Sequence, residues 1–417
     1  MVYLYRYYKA GYLFGFILVL ILVSATYAIK PEYLVDVDPG ETIEIKGEKI
    51  HLTEKEYKGW RSKNGLKYLC SWEPGRGIPI IDALNPESVI VRHDGRILEK
   101  GKDYLLDERW GGLGLAPTSS VTKDDVLEVD YSYSLRRIDS LVKLPTGEKV
   151  IRKGDSKLTC AEPPRLEHGE KRLANIFIDF ASRTKNPIYL PVLESKEQAK
   201  TLTTSGMIPK TLDKIKSGKP VKIVCWGDSV TVGGDAYPQQ ENRYSAVFEK
   251  KLRARFPDAN LTVETIAVGG SNSRQWLYPE KYAINKATRW ERVAEAKPDL
   301  VTIEFVNDAY MSKELVYEVY IDIFNRISAL GAEVILITPH FTRLDTLNPY
   351  PQEERPYVLA LRSFAQDHKL ALADAAARWE HLSKEGIPYI TLLRNALNHP
   401  DNRGHMIFAE ELIKCFQ

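Results

Sequence analysis

The sequence predicts an α/β domain with a parallel sheet covered on both faces, preceded by an all-β sandwich or jelly-roll domain. Two patterns carry this. From Lys222 onward, short apolar runs alternate with stretches of helical spacing, the rhythm of βαβ units. From about Tyr33 to Arg137, apolar and polar residues instead alternate singly, the period of a half-buried strand. Length agrees, since 417 residues are more than one compact domain usually holds.

The β-rich half reads in order as follows. "TIEIKGEKIHL" alternates and predicts a strand. "SVIVRHDGRIL" alternates on both sides of "HDG", the signature of a tight hairpin. "KGKDYLLDERWGGL" reads as strand, turn and strand, with Asp103 and Trp110 in structural roles, and "DVLEVDYSYSL" alternates again. Between Val142 and Lys200, patches such as "ANIFIDF" and "PIYLPVL" are broken by proline and charge. Residues 33–200 are therefore read as the β-domain plus a connection.

In the second half, "VKIVCWG" is a strand and "RYSAVFEKKLRARF" a helix. "LTVETIAV" is a strand, and "WERVAEAK" ends a helix before Pro298. "LVTIEFVND" is a strand, and "ELVYEVYIDIFNRISALG" is a helix stopped by Gly331. "EVILITP" is a strand, "YVLALRSFAQDHK" a helix, "LALADAA" a strand and "GHMIFAEELIKCF" the closing helix. Residues 215–417 form this domain. In open parallel sheets, ligand sites form beyond the carboxyl ends of the strands.

Lys plus Arg number 58 against 56 Asp plus Glu, a balance that excludes nucleic acid as the main partner. Residues 1–28 pair Arg6 and Lys9 with the apolar run "GYLFGFILVLILVSATYA", which predicts a signal peptide or, if uncleaved, a membrane anchor. The chain is thus expected to be exported, meeting a membrane only through this segment. Cys70, Cys160, Cys225 and Cys415 form no Cys-x-x-Cys pair, so no metal or redox motif is expected. Cys225 reads as a core residue, and Cys70 and Cys160 are close enough in the chain to pair in an oxidising compartment.

Chemistry-bearing residues stand at strand ends. In "CWGDSVTVGG", Ser229 follows the first strand as a candidate nucleophile; a serine hydroxyl needs a base. The pattern is not Gly-x-Ser-x-Gly, because Thr231 stands where the second Gly would be. In "AVGGSNS", Gly270 can turn its N–H inward, and in "FVNDAY", Asn307 offers carboxamide donors while Asp308 reads as a helix N-cap. Converging donors are what a developing oxyanion requires. In "NHPDNRGHMIFAEEL", His399 precedes the last helix and is a natural base for a serine.

This set, one residue at the edge of each element, resembles the SGNH (GDSL) hydrolase superfamily over about Val221 to Gln417. The resemblance implies a three-layer α/β/α fold with a short parallel sheet, and esterase chemistry without cofactor or metal. By position it implies Ser229 as nucleophile, His399 as general base, and an oxyanion hole from the N–H groups of Ser229 and Gly270 with the Asn307 side chain. Two departures stand out. Phe305 replaces the Gly of the usual Gly-x-Asn-Asp block, and Ala396 occupies the position where the family commonly has an Asp three residues before the His. Asp374, Asn395, Asn398 and Asp401 are the candidates to orient the ring instead, with Asp401 also suited to cap the last helix. The simplest reading is a Ser–His dyad with a backbone carbonyl holding the ring. Some carbohydrate esterases of the superfamily, which join an N-terminal β-sandwich to the hydrolase domain, are similar in lacking the acid.

Export, a β-rich companion and aromatic residues suit an acylated carbohydrate, and the expected reaction is removal of acetyl or another short acyl group. Trp226, Trp276 and Tyr278 are the candidate substrate-binding aromatics, with Trp226 and Trp290 also readable as core. A lipid esterase or thioesterase, or a non-catalytic carbohydrate-binding protein on the same scaffold, are the alternatives. No long apolar lid helix is evident. The loop "HFTRLDTLNPYPQEERP" is long enough to wall a site.

Overall fold

The computed structural model describes residues 35–52, 67–72, 78–180, 186–282, 286–346, 348 and 351–417. The expected targeting segment lies outside these residues. Among them, no helix is long and apolar enough to cross a membrane.

The N-terminal ladders are antiparallel, as the alternation predicts. One four-stranded sheet runs in the order Thr42–Ile50, Leu127–Ser134, Leu84–His93, Arg96–Ile97. Its "HDG" hairpin turns through Asp94 and Gly95, both at positive φ, 47° and 79°. That twist suits two antiparallel strands and is why an Asp-Gly pair sits there. A second sheet runs Lys149–Arg152, Arg137–Lys143, Lys171–Ile178, Ile188–Pro191. The expected strand–turn–strand is the hairpin Tyr104–Asp107 with Gly112–Leu115. Asp103 has the structural part expected of it: it is buried and accepts from the backbone N–H of Glu99 and the hydroxyl of Ser120.

The apolar residues of the two sheets go to different cores. The first sheet buries Leu84, Val91, Leu127 and Val129 in a cluster of its own, which also takes in Ala396 and Leu397 from the far end of the chain. The second sheet buries Ile138, Phe177 and Leu190 against Trp379, Leu382 and Tyr389 of the α/β domain. The β-rich half is therefore wedged into the α/β domain along two surfaces. All four cysteines are free.

Five parallel strands form the C-terminal sheet: β1 (Val221–Gly227), β2 (Leu261–Ala267), β3 (Leu300–Glu304), β4 (Glu333–Ile337) and β5 (Ala371–Ala373). Their order is β2-β1-β3-β4-β5. Successive residues point to opposite faces. Thus Ile223, Ile335 and Ile337 pack on one side with Phe248, Leu252, Phe408 and Leu412, from helices Tyr244–Arg255 and Asn402–Lys414. Val224, Trp226, Val334 and Leu336 pack on the other with Val316, Ile323, Leu361 and Phe364, from helices Lys313–Ala329 and Pro356–Asp367. This is the three-layer architecture. Strand order reverses direction at β1, and in open α/β sheets it is at such a switch point, beyond the carboxyl ends of the strands, that a crevice for ligands forms.

Candidate active site

The strand ends at this crevice carry the expected blocks. β1 closes on Gly227, where a Cβ would stand 2.1 Å from both the Glu304 carbonyl oxygen and Thr231 Oγ1, so only glycine fits. Asp228 then caps the short helix Ser229–Val232, accepting from the Val230 N–H at 3.0 Å. Its other oxygen accepts from both the backbone N–H and the Nδ2 of Asn307, each at 2.9 Å. Asn307 Nδ2 also donates to the Ser271 carbonyl at 3.0 Å. One buried carboxylate thereby ties the turns after β1, β2 and β3 together. Burial pushes the Asp228 carboxyl up to about 7 against the pull of these N–H donors.

These turns carry three of the expected residues, Ser229, Gly270 and Asn307. Gly270 sits at φ +77°, and a Cβ there would meet nothing within 4 Å, so it faces open space. At its neighbour Gly269, a Cβ would lie 3.8 Å from that of Ser229. On the opposite side, a Cβ on Gly234 would fall 3.0 Å from the Ser229 carbonyl oxygen and 3.1 Å from Nδ1 and Cε1 of His399. Serine and histidine thus flank one glycine, although they come from opposite ends of the domain. Among the described residues, no hydrogen bond joins the Ser229 hydroxyl to the ring. Such contacts are commonly long until substrate binds.

The ring partner of His399 is an acid that the sequence reading missed. Oδ2 of Asp235 stands 2.9 Å from Nδ1 of His399, and the Asp235 side chain is only 6% exposed. Asp235 follows the Gly-Gly of the first block and holds a positive φ of 63°. The signal was the carboxylate in "GGDAYP", six residues from the serine rather than near the histidine. Among the described residues no backbone carbonyl holds this nitrogen: the ring pairs with Asp235 where the dyad reading expected a carbonyl.

The four sequence candidates for that position do other work. Asp374 accepts from Thr338 Oγ1 at 2.8 Å and from Arg362 at 3.0 Å, away from the ring. Asp401 caps the last helix through the N–H groups of Arg403 and Gly404, the role it was suited to. Asn395 Oδ1 accepts from the backbone N–H groups of Leu397, Asn398 and His399, and its Nδ2 donates to Asn398 Oδ1. It shapes the loop and leaves the imidazole to Asp235. Ala396 is fully buried in the β-domain core at φ +55°, so an acid at that position could not reach the ring.

Neutral imidazoles brace the loop from below. His340 Nε2 lies 2.8 Å from the Asn398 carbonyl oxygen, and burial lowers this ring to about 3. His405, lowered by burial to about 4, accepts from the Tyr244 N–H and reaches the Gly234 carbonyl at 3.4 Å. From the loop after β4, the Arg343 N–H donates to the Leu397 carbonyl at 2.7 Å, and its guanidinium pairs with Asp82 of the β-domain.

Three further expectations change. Trp226 and Trp276 are fully buried, so neither offers a face to substrate. Trp226 packs edge-on against Trp276, Trp290 and Phe305, which gives the Phe305 departure its physical reason: it completes an aromatic cluster under the site. Tyr278 is half-buried, with its hydroxyl donating to Asp322 at 3.0 Å. Asp308 is not the cap of the next helix; Ser312 is, accepting from the Leu315 N–H at 3.3 Å. Asp308 instead accepts from the Ser273 N–H and the Tyr320 hydroxyl, and burial raises it to about 6.

The model of the GDSL-like Lipase/Acylhydrolase family matches residues 225–407. No curated protein matches the chain. Among solved structures, a two-domain esterase (CEX) active on acetylated mannans is 19% identical with a TM-score of 0.41, over 52% of this chain and 53% of its own. The match therefore spans about half the length of that esterase. An acetyl xylan esterase (Axe2) from Geobacillus stearothermophilus is 21% identical with a TM-score of 0.36, over 48% of this chain and 95% of its own. LAE5, an alpha/beta hydrolase enzyme from the metagenome of Lake Arreo, Spain, is 21% identical with a TM-score of 0.38, over 47% and 94%. Residues 225–407, the stretch that carries these strand-end blocks, thus form a GDSL-like lipase/acylhydrolase domain.

Proposed function

We propose that the protein is an exported serine esterase that removes acetyl or other short acyl groups from a carbohydrate. The observation that carries the catalytic reading is the 2.9 Å contact between Asp235 and His399, on a ring that flanks Ser229 across Gly234. A buried carboxylate on Nδ1 leaves Nε2 to take the serine proton and stabilises the imidazolium that forms. Ser229 Oγ attacks the ester carbonyl as its proton passes to His399. The oxyanion draws on the N–H groups of Ser229 and Gly270 and on Asn307, where it competes with the Ser271 carbonyl for one amide hydrogen. The alcohol leaves with the proton from His399, and water hydrolyses the acyl-serine by the same steps in reverse order.

Carbohydrate as the alcohol portion of the ester is supported by the β-domain wedged beside the histidine loop and by the apolar signal-like segment of residues 1–28. Purified protein given 4-nitrophenyl acetate, longer 4-nitrophenyl esters and acetylated xylan tests the reading. Turnover that falls with acyl length, together with acetate release from xylan, is expected. Preference for long chains would replace it with a lipid esterase. Silence on every ester from folded protein would favour a carbohydrate-binding role.

A further inference from the structure

We infer that Tyr237 is a stacking platform for a pyranose ring of the substrate's alcohol portion, and that the β-domain builds this platform by bracing it with Trp72. The inference rests on the esterase reading above.

Tyr237 lies two residues after Asp235, so its Cα is at most about 7 Å along the chain from that of the acid. Tyr237 is 43% exposed, directly after the buried Asp235 and Ala236. Its backbone is nonetheless fixed: the N–H donates to Asn402 Oδ1 at 2.9 Å and the carbonyl accepts from Asn402 Nδ2 at 2.7 Å. Asn402 opens the helix that follows His399. The exposed ring is thus pinned to both chain segments that supply the acid and the base.

The side chain is fixed as well, and from the other domain. Trp72, on the short strand Ser71–Trp72 of the β-half, meets Tyr237 edge to face, with ring centres 5.4 Å apart. The guanidinium of Arg394 sits over the Trp72 ring at 4.1 Å. Arg394 belongs to the histidine loop, with its N–H donating to the His399 carbonyl at 2.8 Å. Arg394, Trp72 and Tyr237 thus form a row that runs from a half-buried guanidinium to an exposed phenol ring. Cation–π and edge-to-face contacts hold aromatic planes in fixed orientation. A rigid ring loses little freedom on binding, and its apolar face with a polar tip suits a pyranose, which presents C–H groups on its face and hydroxyls at its rim. An acyl chain would call instead for a continuous apolar trough, whereas Tyr237 is flanked by the Asn402 carboxamide on its backbone and by a Trp72 ring that itself carries the Arg394 guanidinium.

The experiment uses the full chain as wild type, Tyr237→Ala and Tyr237→Trp. The quantity read is the ratio of kcat/KM on acetylated xylo- or manno-oligosaccharide to kcat/KM on 4-nitrophenyl acetate, which has no sugar. Tyr237→Ala is expected to lower this ratio about tenfold, through KM on the sugar ester, and Tyr237→Trp to restore it. A ratio within threefold of wild type in Tyr237→Ala would overturn the platform. Calorimetry with the unacetylated oligosaccharide, comparing Ser229→Ala with Ser229→Ala/Tyr237→Ala, reads the platform without turnover. Binding about tenfold weaker in the double variant supports it, and equal affinity overturns it. If wild type hydrolysed neither ester, the esterase reading would fall, and the calorimetry would still decide the platform.

Discussion

The Asp235 carboxylate lies against Nδ1 of His399 at 2.9 Å, although 164 residues separate them in the chain. It reaches the ring from the loop that follows Ser229, at a residue held in left-handed backbone geometry. The Asp235 carboxylate and Ser229 therefore come from one turn, and the His399 imidazole from the other end of the domain.

Removing the charge at this position while keeping the shape isolates its role. Asp235→Asn is expected to lower kcat on 4-nitrophenyl acetate on the order of 10²- to 10⁴-fold, because the wrong imidazole tautomer then faces the serine. Asp374→Asn, away from the ring, is expected to keep turnover per folded molecule within threefold of wild type. Steady-state kinetics on protein checked by circular dichroism reads both.

Asn307 holds its carboxamide between Asp228 and the Ser271 carbonyl. Asn307→Ala is expected to lower kcat on the order of 10²-fold, the cost of one oxyanion donor. Near-normal turnover from soluble protein would remove Asn307 from the oxyanion hole.

Position 396 separates this chain from the usual arrangement. A carboxylate there would enter the apolar core of the β-domain, where Ala396 is fully buried. Ala396→Asp is expected to destabilise the fold by about 3 kcal/mol or more and to leave Asp235→Asn unrescued when the two are combined. Thermal melts and turnover of the double variant test this.

Burial raises Asp228 to about 7 and Asp308 to about 6, well above the value near 3.9 of an unfolded chain. For a raised carboxyl the folded state binds the extra proton. Its stabilising effect is complete below the unfolded value and is lost as pH rises through the folded one. Each group can tilt stability by at most about 1.4 kcal/mol per pH unit within that window. Between pH 4 and about 7, denaturant midpoints of wild type are expected to decline relative to those of Asp228→Asn. Parallel curves would show that Asp228 is ionised throughout.

Much of this was legible in the sequence, and the exceptions have physical reasons. The five strands, their flanking helices and the Asp94-Gly95 hairpin follow from periodicity and turn chemistry, which are local. Ser229, Gly270, Asn307 and His399 stand at element edges, so a linear reading could find them. Asp235 could not be singled out that way, because its partner is fixed by a loop closing across the sheet and nothing local marks an Asp after Gly-Gly as a histidine partner. Trp226 and Trp276 looked available for substrate because apolar strands do not reveal which aromatic faces are covered; here they cover one another. The entry of Ala396 and Leu397 into the β-domain core is a tertiary event with no sequence period.

Labelling with a 4-nitrophenyl alkylphosphonate, followed by peptide mass mapping, probes the serine and its base together. One adduct on Ser229 is expected, with labelling on the order of 10²-fold slower in both His399→Ala and Asp235→Asn. An adduct on another residue, or equal labelling rates in all three proteins, would rule out the Ser229–His399–Asp235 assignment.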